Sequence, residues 1–337
     1  VSGRVYLDWN ATAPLREEAR AAMVAALDVT GNPSSVHAEG RAAKMIVERA
    51  REEVAEAVGC KAKEIVFTSG ATEAAGVLAG FDAVTVEPTA HDCLQAHAKG
   101  EGGVLALGLA NSETGVLAEV PARDGPVLLD IVQAVGRVPF AFGWSGVDFA
   151  ILSAHKIGGP KGVGALIVRE GVDIATLRPG GGQEMGRRSG TENVAGIAGF
   201  GAAATAAARD LAGGVWACVA DLRDGLEARL AAAAGDTIFV GRDRARLPNT
   251  SCILTPGWKG ETQVMQMDLA GFAVSAGSAC SSGKVKASRV LQAMGYDARD
   301  AASAIRVSIG PATAKEDLDR FAAAWLAARA RHMARAA

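Results

Sequence analysis

Five short apolar runs constrain the fold of this chain more than any other feature: Val84–Val86, Val104–Leu109, Val127–Asp130, Val147–Leu152 and Gly164–Val168. They are rich in Val, Leu and Ile and do not alternate with polar residues. A strand with one wet face shows a period of two. A strand covered on both faces does not, and that environment belongs to mostly parallel α/β sheets. Helical patterns surround these runs. Arg16–Leu27 reads as a helix, and so does Ala38–Val58, with Ile46, Ala50, Val54 and Ala57 on one face. A strand at Glu64–Thr68, broken by Ser69-Gly70, leads into a helix from about Ala71 to Ala79. Pro179–Gly190, with five glycines and two arginines, is a loop, and two alanine-rich helices follow at Val194–Leu211 and Trp216–Ala234.

Beyond residue 240 the pattern changes to a smaller α+β unit. Its strands fall near Thr250–Leu254 and Ala304–Ile309, and its helices near Glu261–Leu269, Lys286–Met294 and Lys315–Arg331. The expected organisation is a large α/β domain over 14–240, with a mostly parallel sheet flanked by helices, and a small domain made of 1–13 and 241–337.

Composition excludes several classes of function. Lys and Arg total 35 against 37 Asp and Glu, which leaves no electrostatic argument for nucleic acid or an anionic membrane. Aromatics are only 5%, too few for a base-stacking surface. No run of apolar residues is long enough to span a bilayer, and Val1–Asn10 lacks the basic-then-apolar pattern of a secretion signal, so a cytoplasmic location is expected. The five cysteines, Cys60, Cys93, Cys218, Cys252 and Cys280, form no C-x-x-C pair and are odd in number, which suits reduced thiols. The five histidines, His37, His91, His97, His155 and His332, contain no H-x-x-x-H pair, so no metal site is expected. No strand is followed by G-x-G-x-x-G, which disfavours a nicotinamide dinucleotide.

Three strand ends carry chemistry. Phe67-Thr68-Ser69-Gly70-Ala71-Thr72-Glu73 ends a strand, turns on small residues and opens a helix, whose unpaired N–H groups suit a phosphate. Val127–Asp130 ends a buried strand in a carboxylate, with Gln133 three residues on, where a protonated ring nitrogen could be held. Phe149–Lys156 ends a third buried strand in Ser, His and Lys, ahead of the glycine-rich turn Gly158–Gly162. A lysine among apolar walls and other cations has a depressed pKa and a free amine for Schiff-base chemistry. Each feature alone also reads as ordinary: an N-cap, a helix cap, a surface lysine. Together, in this order, they supply what pyridoxal phosphate requires.

At this point the chain resembles the class V, fold-type I pyridoxal-phosphate enzymes, and among them the cysteine desulfurases of iron–sulfur cluster assembly. The resemblance is carried by YLDWNATAP (Tyr6–Pro14), GNPSSVH (Gly31–His37), EIVFTSGATE (Glu64–Glu73), DIVQAVG (Asp130–Gly136), SAHKIGGPKGVG (Ser153–Gly164), GGGQEMGRRSGTEN (Gly180–Asn193), SAGSACS (Ser275–Ser281) and IRVSIG (Ile305–Gly310), in family order over nearly the whole chain. It implies that Lys156 is the Schiff-base lysine, that Asp130 pairs with the ring nitrogen and that Gln133 hydrogen-bonds the ring oxygen. It assigns the phosphate to Ala71, Thr72, Ser153 and His155, with Thr191 coming from the partner subunit of a homodimer. His91 falls where the family has the histidine that stacks on the ring and carries protons, and Arg306 and Asn10 fall at the substrate site, Arg306 clamping a carboxylate.

Cys280 aligns with the family's sulfur-accepting cysteine. Its neighbourhood, Ser275–Ser288, is almost all Gly, Ser, Ala and Lys, with no apolar stripe to bury the thiol, and Lys284 and Lys286 favour the thiolate. Inert packing is the expectation for Cys60, Cys218 and Cys252. The implied reaction converts L-cysteine to L-alanine with a persulfide on Cys280, destined for a sulfur-acceptor protein. The alternatives are a selenocysteine lyase or other C–S lyase of the same family, or a non-catalytic scaffold in a sulfur-transfer assembly. The chain departs from the family between Phe81 and Val104, where a strand and helix are missing and a sheet edge should be newly exposed, and at Ser112, where a second asparagine is usual.

Overall fold

The structure, a computed structural model, describes residues 3–277 and 287–336. Its chain divides into two compact units, one of Thr12–Ala110 and Ala118–Gly213, the other of Val1–Ala11, Asn111–Leu117 and Gly214–Ala337. After β1 (Val5–Tyr6), which belongs to the second unit, the first unit opens with helices α1 (Glu17–Leu27) and α2 (Ala38–Val58) and strand β2 (Ile65–Thr68). The single turn α3 (Ala71–Ala74) continues as a 3-10 helix over Ala75–Gly80. Strand β3 (Val84–Val86), the short α4 (Asp92–Gln95), β4 (Val104–Gly108), β5 (Val127–Asp130), β6 (Phe149–Ser153), β7 (Gly164–Val168) and α5 (Val194–Ala212) complete it.

The six strands lie in the order β2-β7-β6-β5-β4-β3. Strand β7 runs antiparallel to both its neighbours and the other pairs are parallel, so the sheet is mixed but mostly parallel, as expected. Both faces are covered. Ile65, Phe67, Leu129, Ala150, Leu152 and Ile167 pack into one core with α1, α2 and α5. Val66, Leu128, Phe149, Ile151, Leu166 and Val168 pack into a second core with residues of α3 and α4. Each fully buried Leu, Ile or Phe contributes about 1.5–3 kcal/mol, and with both faces paying into a core the strands have no reason to alternate. Helix α2 meets α5 closely because α5 is built of Gly and Ala: a methyl group on Gly201 would sit 2.7 Å from Ala50 Cα.

Strand β3 is the sheet edge, as the short connection predicted. It is not left bare. Val84 exchanges both its main-chain hydrogen bonds with Lys99, at 2.7 and 3.1 Å, and the Thr85 hydroxyl donates to Gly102 O.

The second unit contains α6 (Val215–Ala233), β8 (Ile238–Phe239), β9 (Thr250–Leu254), α7 (Gly260–Leu269), β10 (Phe272–Ala273), β11 (Ser275–Ala276), α8 (Arg289–Ala293), α9 (Ala298–Ala301), β12 (Ala304–Ser308) and α10 (Lys315–Ala336). An antiparallel sheet runs β11-β12-β9-β8, and β1 pairs parallel with β10. Trp258 and Trp325 are fully buried, and Gln263 ties them together by accepting from Trp325 Nε1 at 3.0 Å and donating to Trp258 O at 2.8 Å. This division differs from the expected boundary near residue 240. Helix α6 sits in the smaller unit because its buried Glu227 accepts a two-pronged bond from Arg246, at 2.7 and 2.8 Å, and a third bond from Ser251. Residues 111–117, inside the expected large domain, also belong there: Leu117 N donates to Ala245 O, and Leu247 N to Gly115 O.

Candidate active site

In the first unit the expected residues converge at one end of the sheet. The strands β3, β5 and β6 run parallel through β4, and β2 runs the same way across β7, so the residues that follow their C-terminal ends share one edge. Open α/β sheets bind ligands at that edge. It carries Ala71 and Thr72 after β2, His91 after β3, Asp130 and Gln133 at the end of β5, and Ser153, His155 and Lys156 at the end of β6.

The turn between β2 and α3 is shaped by two glycines. Gly70 has φ +155°, a region open to glycine. A methyl group on Gly164 would lie 2.6 Å from both Gly70 Cα and Leu152 O, so the turn rests directly on β7 and brings the first N–H groups of α3 beside Ser153. Glu73 braces the turn from outside. It accepts from Ser69 N at 2.6 Å and from Arg188 at 3.1 and 3.3 Å. Burial works against its charge, but Arg188 and Ser69 outweigh it and hold the carboxyl down at about 2.

Asp130 is buried, and its Oδ1 accepts from Val132 N at 2.9 Å. Burial pushes its carboxyl up, against that hydrogen bond and the charges of His91 and Lys156. A carboxylate in this state gains strongly from a cation placed against it, which is what a protonated pyridine nitrogen provides. His155 is half-buried, and its Nδ1 lies 3.1 Å from Thr12 Oγ1. Burial, reinforced by Lys156 and Lys161, pulls its pKa down to about 4, so the ring is neutral at pH 7 and keeps an N–H to offer. Together with Ser153 and the α3 N–H groups, these donors fit a phosphate, and the whole set fits pyridoxal phosphate.

His91 is the N-cap of α4, accepting from Cys93 N at 3.1 Å through Nδ1. That bond places the proton of the neutral ring on Nε2, and the ring is exposed. Cys93, two residues on, is buried, and burial with the nearby Asp130 charge pushes the thiol up to about 12, so it stays protonated. Among the cysteines expected to be inert packing, Cys252 is buried and Cys60 half-buried, but Cys218 is exposed. It falls on the side of α6 away from the buried Trp216, Val219, Leu226 and Leu230.

The Gly180–Asn193 stretch is a loop with one short turn, held by a residue that carried no sequence-level assignment. Glu184, at φ +49°, reaches into the core, where its carboxylate accepts from Arg51 at 2.7 and 2.9 Å and from Phe67 N at 2.9 Å. Thr191, near the end of the loop, is exposed.

Arg306, Asp8 and Asn10 belong to the second unit. Arg306, on β12, donates through Nη2 to Asp8 Oδ1 at 2.7 Å and through Nη1 to Ser112 O at 3.0 Å, while its Nε is buried with no hydrogen-bond partner among the described residues. Asp8 Oδ2 accepts from Ser275 Oγ at 2.8 Å. Asn10 is buried. Its amide donates to Thr250 Oγ1 at 2.8 Å and Ser112 O at 3.2 Å and accepts from Asn249 Nδ2 at 3.0 Å. With 1% exposure and its amide engaged on both ends, it braces the 111–117 turn. Cys280, Lys284 and Lys286 lie outside the described residues. On either side, Ser275 bonds Asp8 and Ser288 donates to Glu113 Oε2 at 2.5 Å. Among the described residues no cluster of His, Cys, Asp and Glu suits a metal ion, and no helix is long and apolar enough to cross a membrane.

Thr12, Glu73 and Glu184 in the first unit, and Asp8 in the second, hold expected site residues or their turns and were missed by sequence reasoning. Asp8 and Thr12 stood in a recognised motif without a role, while the Glu184–Arg51 contact spans 133 residues and leaves no local pattern. The sequence profile of the aminotransferase class-V family matches residues 5–88 and 85–321. A cysteine desulfurase of Cereibacter sphaeroides is 40% identical, with 94% of each chain covered, and one of Frankia sp. (strain EuIK1) is 39% identical over 97% of this chain and 91% of that one. Among solved structures, a NifS-like protein superposes with a TM-score of 0.88 at 29% identity, covering 97% of this chain and 99% of that chain.

Proposed function

The chain belongs to the aminotransferase class-V family, and on that premise we propose that it works as a pyridoxal-phosphate-dependent cysteine desulfurase. The net reaction takes L-cysteine and the Cys280 thiol to L-alanine and a Cys280 persulfide: one S–S bond forms, one C–S bond breaks, and the proton count is unchanged. The coenzyme, when bound, supplies an aldehyde that condenses with amines and a ring that withdraws the electron pair released at the substrate Cα.

The chain's own groups have separable tasks. Ser153, His155 and the N–H groups of Ala71 and Thr72 hold the phosphate, and Thr191 of a second copy completes that set in a homodimer. Asp130 keeps a proton on the ring nitrogen, because a buried carboxylate and a cation stabilise each other. Gln133 donates to the ring oxygen. Lys156 would hold the coenzyme through Nζ and, when its amine is free, would accept the substrate Cα proton on that atom. His91, with its proton on Nε2, carries a proton at the exposed face. Arg306 binds the substrate carboxylate, and Cys280, as thiolate, takes the sulfur and passes it to an acceptor protein in the cytoplasm.

The observation that carries this reading is the shared sheet edge on which Asp130, Ser153, His155 and Lys156 stand beside the Gly70 turn. The test records the visible spectrum of the purified protein before and after L-cysteine, with alanine measured in the same tube. Wild type should show a coenzyme band that responds to cysteine and should yield alanine. Cys280→Ser should keep the spectral response and lose alanine production. Alanine output at the wild-type level from Cys280→Ser under reductant would remove the role given to that cysteine.

A further inference from the structure

Behind the coenzyme edge lies an arginine that none of the roles above uses. Arg137 is 4% exposed, at the end of the turn that follows β5. Its Nη1 donates to Gln133 Oε1 at 2.6 Å and its Nη2 donates to Lys156 O at 3.0 Å. Gln133 is itself buried, at 5% exposure. One planar guanidinium therefore joins the main chain of the lysine to the side chain of the glutamine, which stand on consecutive strand ends.

The chemistry of the contact gives Gln133 a direction. A guanidinium has five N–H donors and no acceptor, so the amide atom facing it must be oxygen. The other polar end of the amide, its NH2, can only donate. Without the arginine, a glutamine can turn over and present its oxygen instead, because the two ends of an amide have nearly the same shape. A main-chain carbonyl held by a charged donor is likewise fixed more firmly than one bonded to water, so the turn carrying Lys156 is anchored by the same group.

We infer that Arg137 is a positioning residue that holds Gln133 as a donor toward the ring oxygen of the coenzyme and anchors the main chain of Lys156. The inference rests on the coenzyme reading above and adds to it a reason for the orientation of Gln133. Donation to the ring oxygen stabilises that oxygen in its ionised form and so weakens its hold on a neighbouring proton. The pH at which the coenzyme band of the resting holoenzyme changes therefore reports the orientation of Gln133, without any turnover.

The experiment is a pH titration of the visible spectrum of holoenzyme in wild type, Arg137→Met, Gln133→Met and the double variant. The midpoint should move to higher pH by about one pH unit in Arg137→Met, the scale set by one hydrogen bond to a charged oxygen. Gln133→Met should move it by a similar amount. The double variant should show little further movement, because both changes remove the same donor. Arg137→Lys, which keeps a cationic donor, should restore the midpoint toward wild type. If Arg137→Met fails to fold, Arg137→Gln takes its place and should give the same upward movement, since an amide at 137 can face either end of Gln133. A midpoint unmoved in the folded Arg137 variant, with a normal wild-type band, overturns the inference alone. No coenzyme band in wild type overturns it together with the coenzyme reading.

Discussion

Replacing Glu184 with glutamine changes one oxygen of a buried carboxylate to an NH2 and removes its charge. The side chain is 1% exposed and Arg51 is 6% exposed, so water cannot compensate. Three donors now converge on the carboxylate: Arg51 Nη1, Arg51 Nη2 and Phe67 N. In Glu184→Gln at least one of them faces another N–H. Removing one partner of a buried ion pair costs about 3–5 kcal/mol. Arg51 retains Glu48 at 3.2 Å, although that carboxylate is half in water, which places the cost near the lower end, about 3 kcal/mol. For a unit of this size each 1 kcal/mol lowers the thermal midpoint by about 2–4 °C, so differential scanning calorimetry should register a fall of about 6–12 °C. The double variant Arg51→Met/Glu184→Leu, which removes both charges and refills the space, should recover most of the loss. A midpoint within about 2 °C of wild type in Glu184→Gln would refute the claim that this pair holds the Gly180–Asn193 loop to β2.

The site makes further testable demands. In coenzyme-free protein the His155 ring should titrate at about 4, below the usual 6.5. Since the folded pKa is depressed, the unfolded chain binds the proton first, and stability should fall as pH drops from about 6.5 to about 4. NMR titration of the ring checks the midpoint, which should rise when phosphate is added, because an anion beside the ring favours its charged form. A ring that titrates near 6.5 without phosphate would contradict the geometry. Arg306→Lys keeps the charge but cannot hold Asp8 and Ser112 O in one fork, so KM for L-cysteine should rise about tenfold or more while the coenzyme spectrum stays unchanged. An unchanged KM would remove the carboxylate role from Arg306.

Much of the first unit was legible because its physics is local or periodic. Strands β3, β5 and β7 and helix α2 fall within their expected limits, since apolar runs and a 3.6-residue stripe report burial directly. The strand-end residues Asp130, Ser153, His155 and Lys156 were legible for the same reason: strand ends can be read, and their order matches a known chemistry. What stayed hidden depends on partners far away in sequence. Glu184 reads as one more polar loop residue until Arg51 is found opposite it, and Asp8 acquires a purpose only when β12 brings Arg306 to it. Asn10 likewise stood in a recognised motif, but its three amide hydrogen bonds, to residues 102 to 240 positions away, left no local pattern. The grouping of α6 was not legible because α6 and α5 have the same alanine-rich pattern, and the Glu227–Arg246–Ser251 contacts that tie α6 to later residues leave no local signal.

The short connection after β3 has a consequence for how copies of this chain meet. A three-residue outer strand turns only alternate residues outward, here Val84 and Val86, and Val84 is already bridged by Lys99. A stray extended peptide would find one residue on which to dock, too few to start a ladder, and a cationic side chain beside it. Doing without an outer strand has therefore not given the protein a rim on which fibrils could seed.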